Sequence, residues 1–422
     1  MMITTGKDKM TYTLKHKDIN VLSFSFNEDN SILTVQKVFN ENHLPIGILN
    51  NENLSVSSAL TKWWNHRTIP ASRNLLENGL KILKINAPTE LLKKSLGLSL
   101  TDHYWICPEN AALEWHKINY YENSFSDAVG KALFDNDRTL ESKKDINLFS
   151  PDNSSDGVQR KKWAIKKDGT RVLIKGGDVF SPQNAFNEVI ASEIFERLCI
   201  PHAEYRILED QEKHVFYSET PNFTDEKTEF VNASHIIESF KMDENKNPYE
   251  HFIYACKNMG IKRELFEKDL NAMFLVDFMI ANRDRHFRNF GFLRDSETLE
   301  WKGLAPIFDS ENSLFEGLAD VDLEDDFFLD SKNIQVKPFA QNQAEQIAML
   351  PVAEQCQNLD FSKLNGMGEW TRKLLTQNNR VSEKRKDLVA KLLEERVEMA
   401  RNIIFTRDKS KHYEKTFELG RR

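Results

Sequence analysis

Asn282-Arg283-Asp284-Arg285-His286-Phe287-Arg288-Asn289 follows directly on the apolar run at residues 270–280, whose one charged residue is Asp277. That run reads as a helix, so the octapeptide lies at an element end or in a loop. Asp284 and Asn289 stand in the spacing Asp-x-x-x-x-Asn. Protein kinases use this spacing in the catalytic loop, where the carboxylate accepts the substrate hydroxyl proton and the carboxamide holds a metal ion. The chemistry wants both on one rigid loop. A base must come within hydrogen-bond distance of the nucleophile, and the amide oxygen must meet a magnesium ion nearby. The same spacing equally describes a charged loop that only caps a helix. His286, between the two, is a candidate contact to bound nucleotide or substrate, or a structural hydrogen-bonding group within the loop.

Working outward, Ile307-Phe308-Asp309-Ser310 closes a short apolar run at residues 301–308, which reads as a buried strand. An acid at that place is where kinases put their other metal ligand, although aspartates are common in turns. Upstream, Lys175 ends a β-rich run and Glu188 lies in the next helical run. An internal Lys–Glu pair that orients nucleotide phosphates has this strand-then-helix order; singly, each is as well a surface charge. Further upstream, Ser154-x-x-Gly157-x-Gln159-x-Lys161 offers backbone N–H groups at a glycine turn that can cradle phosphate oxygens. It matches neither Gly-x-Gly-x-x-Gly nor a Walker A sequence, and by physics alone it also reads as a flexible linker.

The rest of the pattern is segregated. Residues 18–26 and 31–39 are β-rich around Asn27-Glu28-Asp29-Asn30, a predicted hairpin. Residues 60–66, 75–83 and 91–96 read as helices, and 104–108 as extended chain ending at a proline. Trp63 and Trp64 read as one core and one surface residue. Residues 150–157 are almost all turn formers, which places a boundary just before them and predicts a mobile segment. A hairpin follows, residues 163–166 and 171–175 about Asp168-Gly169. Residues 184–198 read as a helix with Phe186, Ile190, Ile194 and Leu198 on one stripe. From about residue 250 the chain is largely helical, ending in a long helix at 382–405 and a charged, solvated tail at 409–422. This is an α+β pattern.

The 422 residues carry 57 Lys and Arg against 65 Asp and Glu, a formal charge of -8. That balance argues against a chain that grips nucleic acid by its own phosphate contacts. The four cysteines, Cys107, Cys199, Cys256 and Cys356, form no Cys-x-x-Cys pair, which argues against a zinc or disulfide framework and fits a reducing cytosol. No apolar run reaches the roughly 20 residues of a membrane span. The first twelve residues lack the apolar core of a signal peptide, so the expected location is cytoplasmic.

Taken in order, these elements resemble the HipA family of serine/threonine kinases, toxins of bacterial toxin–antitoxin modules. The resemblance runs from about residue 150 to 315. Asn282-x-Asp284-Arg285-His286-x-x-Asn289 is its most specific part. The 154–161 segment resembles the family's phosphate loop, Ile174-Lys175 its nucleotide lysine, and Asp309 stands at its second metal ligand. The resemblance implies a bilobal protein-kinase-like fold: an accessory α/β domain at 1–148, a β-rich N-lobe at 149–240 and a helical C-lobe at 241–422. It implies ATP and Mg2+ as cofactors, Asp284 as base, Asn289 and Asp309 as metal ligands, and Lys175 on the phosphates. It further implies autophosphorylation at Ser154, a protein substrate, an antitoxin partner, and DNA reached only through that partner. The N-terminal region around residues 61–73 looks more like variant HipA-like proteins. A small-molecule phosphotransferase and a partner- or repressor-binding module with little turnover remain the alternative readings.

Overall fold

The computed structural model describes residues 10–27, 33–155, 157–176, 181–324 and 326–419, the side chains being described up to residue 405 and not at 326. Strands β1 (Thr11–His16), β2 (Ile19–Phe26) and β3 (Leu33–Val38) open the chain. Helices α1 (Val56–His66), α2 (Leu76–Leu83) and α3 (Pro88–Lys94) follow, then β4 (Tyr104–Pro108). These strands form an antiparallel sheet in the order β3-β2-β1-β4. Strands β2 and β3 pair as the hairpin reading predicts; the turn residues 28–30 lie outside the described residues. The sheet buries Leu14, Leu22, Phe24 and Ile106 against α1. Both tryptophans of α1 are buried, at 5% and 1% exposure, so neither is the surface residue expected. Trp64 fills the space above Gly97, where a Cβ would meet its ring at 2.7 Å, and Trp63 lies under the Arg67 guanidinium.

A second antiparallel sheet, β5-β6-β8-β7, is built from β5 (Lys161–Ile165), β6 (Arg171–Gly176), β7 (Arg206–Asp210) and β8 (Val215–Pro221), with helix α4 (Asn184–Arg197) between β6 and β7. The stripe Phe186, Ile190, Ile194 and Leu198 is buried, and it belongs to the same core as the helical lobe. Helix α4 stops at Cys199, which takes the left-handed φ of 55° natural to glycine.

The helical lobe contains α5 (Pro248–Asn258), α6 (Glu267–Met279) and α7 (Glu383–Leu419), α7 running beyond the span predicted for it. The predicted tail from 409 therefore begins as helix; its side chains lie outside the described residues. A three-stranded sheet, β11-β10-β9, packs here: β9 (Thr228–Asn232), β10 (Gly291–Asp295) and β11 (Trp301–Leu304). The strand predicted for 301–308 is thus interrupted. Pro306 has no N–H to continue the ladder, Ile307 makes only an isolated bridge to His202, and Asp309 turns to φ 65°. Burying each large side chain of the shared core, such as Phe252, Phe274 or Leu393, contributes about 1.5–3 kcal/mol. One continuous core therefore fixes α4 relative to α6. The architecture is α+β, as the segregated runs predict. None of the described helices is long and apolar enough to cross a membrane.

Candidate active site

Helix α6 delivers the 282–289 loop. Ala281 reverses the chain at φ 51°, and the loop is braced by its own polar groups. Asn282 Nδ2 donates to Asp277 Oδ1 at 2.9 Å, and its Oδ1 accepts from the Asp284 N–H at 3.0 Å. Asn289 Nδ2 donates to the Asp284 carbonyl at 2.9 Å, leaving Oδ1 as the amide's remaining ligand atom. Arg285 is almost wholly buried. Its guanidinium grips Asp277 at 2.8 and 3.0 Å and donates to the carbonyls of Asn289 and Phe308 and to Ser310 Oγ. This one side chain ties the Asp284 loop to the Asp309 turn. The Asp284 carboxylate takes Lys337 Nζ at 2.7 Å on Oδ1 and Asn312 Nδ2 at 3.3 Å on Oδ2.

Lys175, 3% exposed, lies among carboxylates. It meets Glu188 Oε1 at 2.7 Å, Asp309 Oδ1, and Glu311 Oε2 at 3.4 Å. Burial alone would depress its ammonium; Asp309, Glu188 and Glu311 outweigh that and hold it well above the usual lysine range. Glu188 Oε2 also accepts the Ser310 N–H at 2.8 Å. Burial raises the Asp309 carboxyl, but Lys175 and Lys161 overcome it and the net direction is down. Glu311 goes the other way: burial pushes it up to about 8, with Asp309 and Glu188 adding to the rise against Lys175. Three acids with ligand atoms within 4.8 Å of one another thus share one close lysine, a charge balance that suits a cation.

The turn-rich segment is anchored, contrary to the mobility its composition predicts. Pro151–Ser154 is a turn of 3₁₀ helix with Asp152 and Asn153 buried. Asp152 Oδ1 accepts the Trp163 N–H at 2.7 Å, and Asn153 Nδ2 donates to the Leu148 carbonyl. Arg73, from the N-terminal region, donates to Ser155 Oγ at 2.8 Å and to the Gly157 carbonyl. Ser154 Oγ donates to the Leu98 carbonyl at 2.9 Å. Gly157 sits at φ 91°, and a Cβ there would meet Lys161 Nζ at 2.6 Å. Lys161 pairs with Lys175 across β5 and β6, and burial with the neighbouring Lys175 charge lowers it to about 8.

One cleft of about 630 Å³ gathers Ser154, Gly157, Gln159 and Lys161 on one side and Asp284, His286, Asn289 and Asp309 on the other. Lys175 and Glu188 do not line it; they are buried against Asp309, which does. Gln159 Oε1 and His286 Nδ1 are buried without a hydrogen-bond partner. Burial holds the His286 imidazole below its usual range. Hard oxygens beside lysines, at a glycine turn with unsatisfied donors and acceptors, fit a magnesium–nucleotide complex. Sequence reasoning missed Arg285, Glu311, Lys337 and Arg73. Arg285 and Glu311 stand inside or beside quoted motifs; nothing local marks Arg73 or Lys337.

Residues 153–358 match the family described as HipA-like C-terminal domain. This region resembles the C-terminal domain of HipA-like proteins. Among solved structures, it is similar to HipA in the Shewanella oneidensis MR-1 toxin–antitoxin complex of HipA, HipB and operator DNA. The identity is 12%, with 93% of this chain and 97% of that chain covered and a TM-score of 0.54. It is also similar to the Helicobacter pylori proinflammatory kinase CtkA, at 19% identity over 58% of this chain and 93% of that one, TM-score 0.45. No curated protein matches the chain. The fold is HipA-like: a bilobal, protein-kinase-like arrangement with a further N-terminal sheet.

Proposed function

We propose that this chain is an ATP- and Mg2+-dependent serine/threonine protein kinase of HipA type. The observation that carries the reading is the shared cleft, in which Asp284, Asn289 and Asp309 face the Gly157–Lys161 turn. Magnesium, when bound, supplies charge neutralisation on the phosphates. Asn289 Oδ1 and the Asp309 carboxylate are the oxygens that would hold it. Lys175, oriented by Glu188, and Lys161 offer positive charge to the phosphate side. Asp284 accepts the proton of the acceptor hydroxyl as the hydroxyl oxygen bonds to the γ-phosphorus and the bond from that phosphorus to the β–γ bridging oxygen breaks, releasing ADP. Lys337 must yield or share Asp284 when an acceptor arrives. Catalysis is then positioning plus electrostatic stabilisation.

The finer reading is a cytoplasmic toxin with an antitoxin partner, DNA being reached through that partner alone, and with units at 1–148, 149–240 and 241–422. Ser154 lines the cleft, which supports it as an autophosphorylation site. A phosphate there, with about -1.5 to -2 charge, would break the bond to the Leu98 carbonyl and compete with nucleotide. Mass spectrometry of a bacterial lysate incubated with the purified chain and Mg–ATP tests the proposal. New phosphoserine or phosphothreonine on proteins is expected; phosphate only on small metabolites, or none, contradicts it. Peptide mapping of the chain itself reads Ser154 in the same experiment.

A further inference from the structure

Away from the nucleotide side of the cleft, three ligand-type side chains meet where the N-terminal sheet abuts the β9–β10 pair. His16 ends β1, His103 precedes β4, and Glu229 lies in β9; all three are fully buried. One ligand atom from each lies within 4.8 Å of the others. Arg294, cross-strand from Glu229, holds its Oε1 and also donates to the Tyr104 hydroxyl.

The hydrogen bonds around the cluster place the His103 proton and allow either tautomer of His16. His103 Nε2 is 2.9 Å from the Asp225 carbonyl oxygen, which only accepts, so that nitrogen carries a proton. In the neutral ring Nδ1 then bears a lone pair. It is buried, has no hydrogen-bond partner, and points at Glu229 Oε2 from 3.5 Å. His16 Nε2 faces the same oxygen at 3.1 Å, and its Nδ1 is 2.9 Å from His43 Nδ1, a partner that can accept a proton's hydrogen bond. Lone pair against carboxylate in a dry site is repulsive unless positive charge lies between.

A proton on His103 Nδ1 would draw the pair to about 2.7–2.9 Å, the length of a charge-assisted bond. The observed 3.5 Å is longer. A tetrahedral zinc ion with bonds of roughly 2.0–2.1 Å sets neighbouring ligand atoms about 3.3 Å apart. The separations of 3.1 and 3.5 Å bracket that value. Asp225, His43 and Arg294 supply the outer contacts that orient two imidazoles and a carboxylate toward one point.

We propose that His16 Nε2, His103 Nδ1 and Glu229 Oε2 form a divalent-metal site, with zinc the fitting ion, that clamps the N-terminal sheet to the β9–β10 sheet. Two nitrogen ligands select zinc over magnesium, which separates this site from the nucleotide's metal. Glu229 also lines the cleft, which places the site at the cleft's inner wall. The proposal is independent of kinase activity. The full-length chain, stripped with a chelator, is titrated with Co2+ alone and then Zn2+. The expected results are one equivalent of visible tetrahedral cobalt absorption, its loss on adding zinc, and a higher melting temperature with zinc. His103→Gln and Glu229→Gln should lose the absorption. If either fails to fold, zinc content and melting shift of the wild-type chain decide. No stoichiometric cobalt or zinc in the wild type overturns the site, as does unchanged cobalt absorption in a folded variant.

Discussion

The Arg285 guanidinium lies on the Asp277 carboxylate at 2.8 and 3.0 Å, and the same group holds the carbonyls of Asn289 and Phe308. Asp277 is on α6; Phe308 precedes the candidate metal ligand Asp309. The pair therefore sets the distance between the Asp284 loop and the Asp309 turn from inside the core. Arg285→Ala strands a buried carboxylate and is expected to cost about 3–5 kcal/mol by urea unfolding. Arg285→Lys keeps the charge and loses the fork. It should fold yet lose on the order of 100-fold in phosphoryl transfer, the cost of roughly 1 Å of misplacement. Wild-type transfer by Arg285→Lys would contradict the bracing role.

Lys175 and Asp309 give a binding prediction. Mg–ATP at about 100 times its dissociation constant adds about 2.7 kcal/mol to the stability of a chain that binds it. Asp309→Ala should lose the magnesium-dependent part of that melting shift, and Lys175→Ala should require much more ATP to reach it. An unchanged shift in both variants would remove this site from consideration.

Asp152, under the phosphate-loop segment, gives a pH prediction. Its burial pushes the carboxyl up to about 6, against the Trp163 N–H and the Ser150 hydroxyl, which favour ionisation. A carboxyl raised on folding contributes stability fully present below its unfolded value near 4, and loses it as pH rises toward 6. Asp152→Asn does not titrate. The stability of wild type relative to Asp152→Asn should therefore fall between pH 5 and pH 7, by up to about 1.4 kcal/mol for a one-unit interval of titration. An equal difference at both pH values by urea unfolding would show that Asp152 does not titrate in this way.

What the sequence made legible was local. Asp284 and Asn289 share a loop, so their spacing survives folding. Lys175 and Glu188 belong to adjacent elements, and the stripe from Phe186 to Leu198 follows helical period. What it hid depends on contacts across the chain. Asp277 was visible as a break in an apolar run, but its partner Arg285 completes the pair only when the chain reverses at Ala281. Glu311 becomes a site residue because the turn at Asp309 keeps both acids on Lys175. Arg73 reaches Gly157 from the loop between α1 and α2. Turn formers at 150–157 suggested mobility, yet Asp152 accepts the Trp163 N–H, Asn153 Nδ2 donates to the Leu148 carbonyl, and both side chains are buried. Trp63 and Trp64 are both covered because α1 is enclosed on more than one side.

Asp284 is proposed as the base of a protein kinase. Phosphoryl transfer from Mg–ATP to protein, followed by mass spectrometry with wild type and Asp284→Asn side by side, tests it most directly. Asp284→Asn is expected to keep the wild-type melting temperature and Mg–ATP shift while transferring no phosphoryl group to protein or to its own Ser154. Transfer by purified Asp284→Asn at the wild-type rate would contradict it.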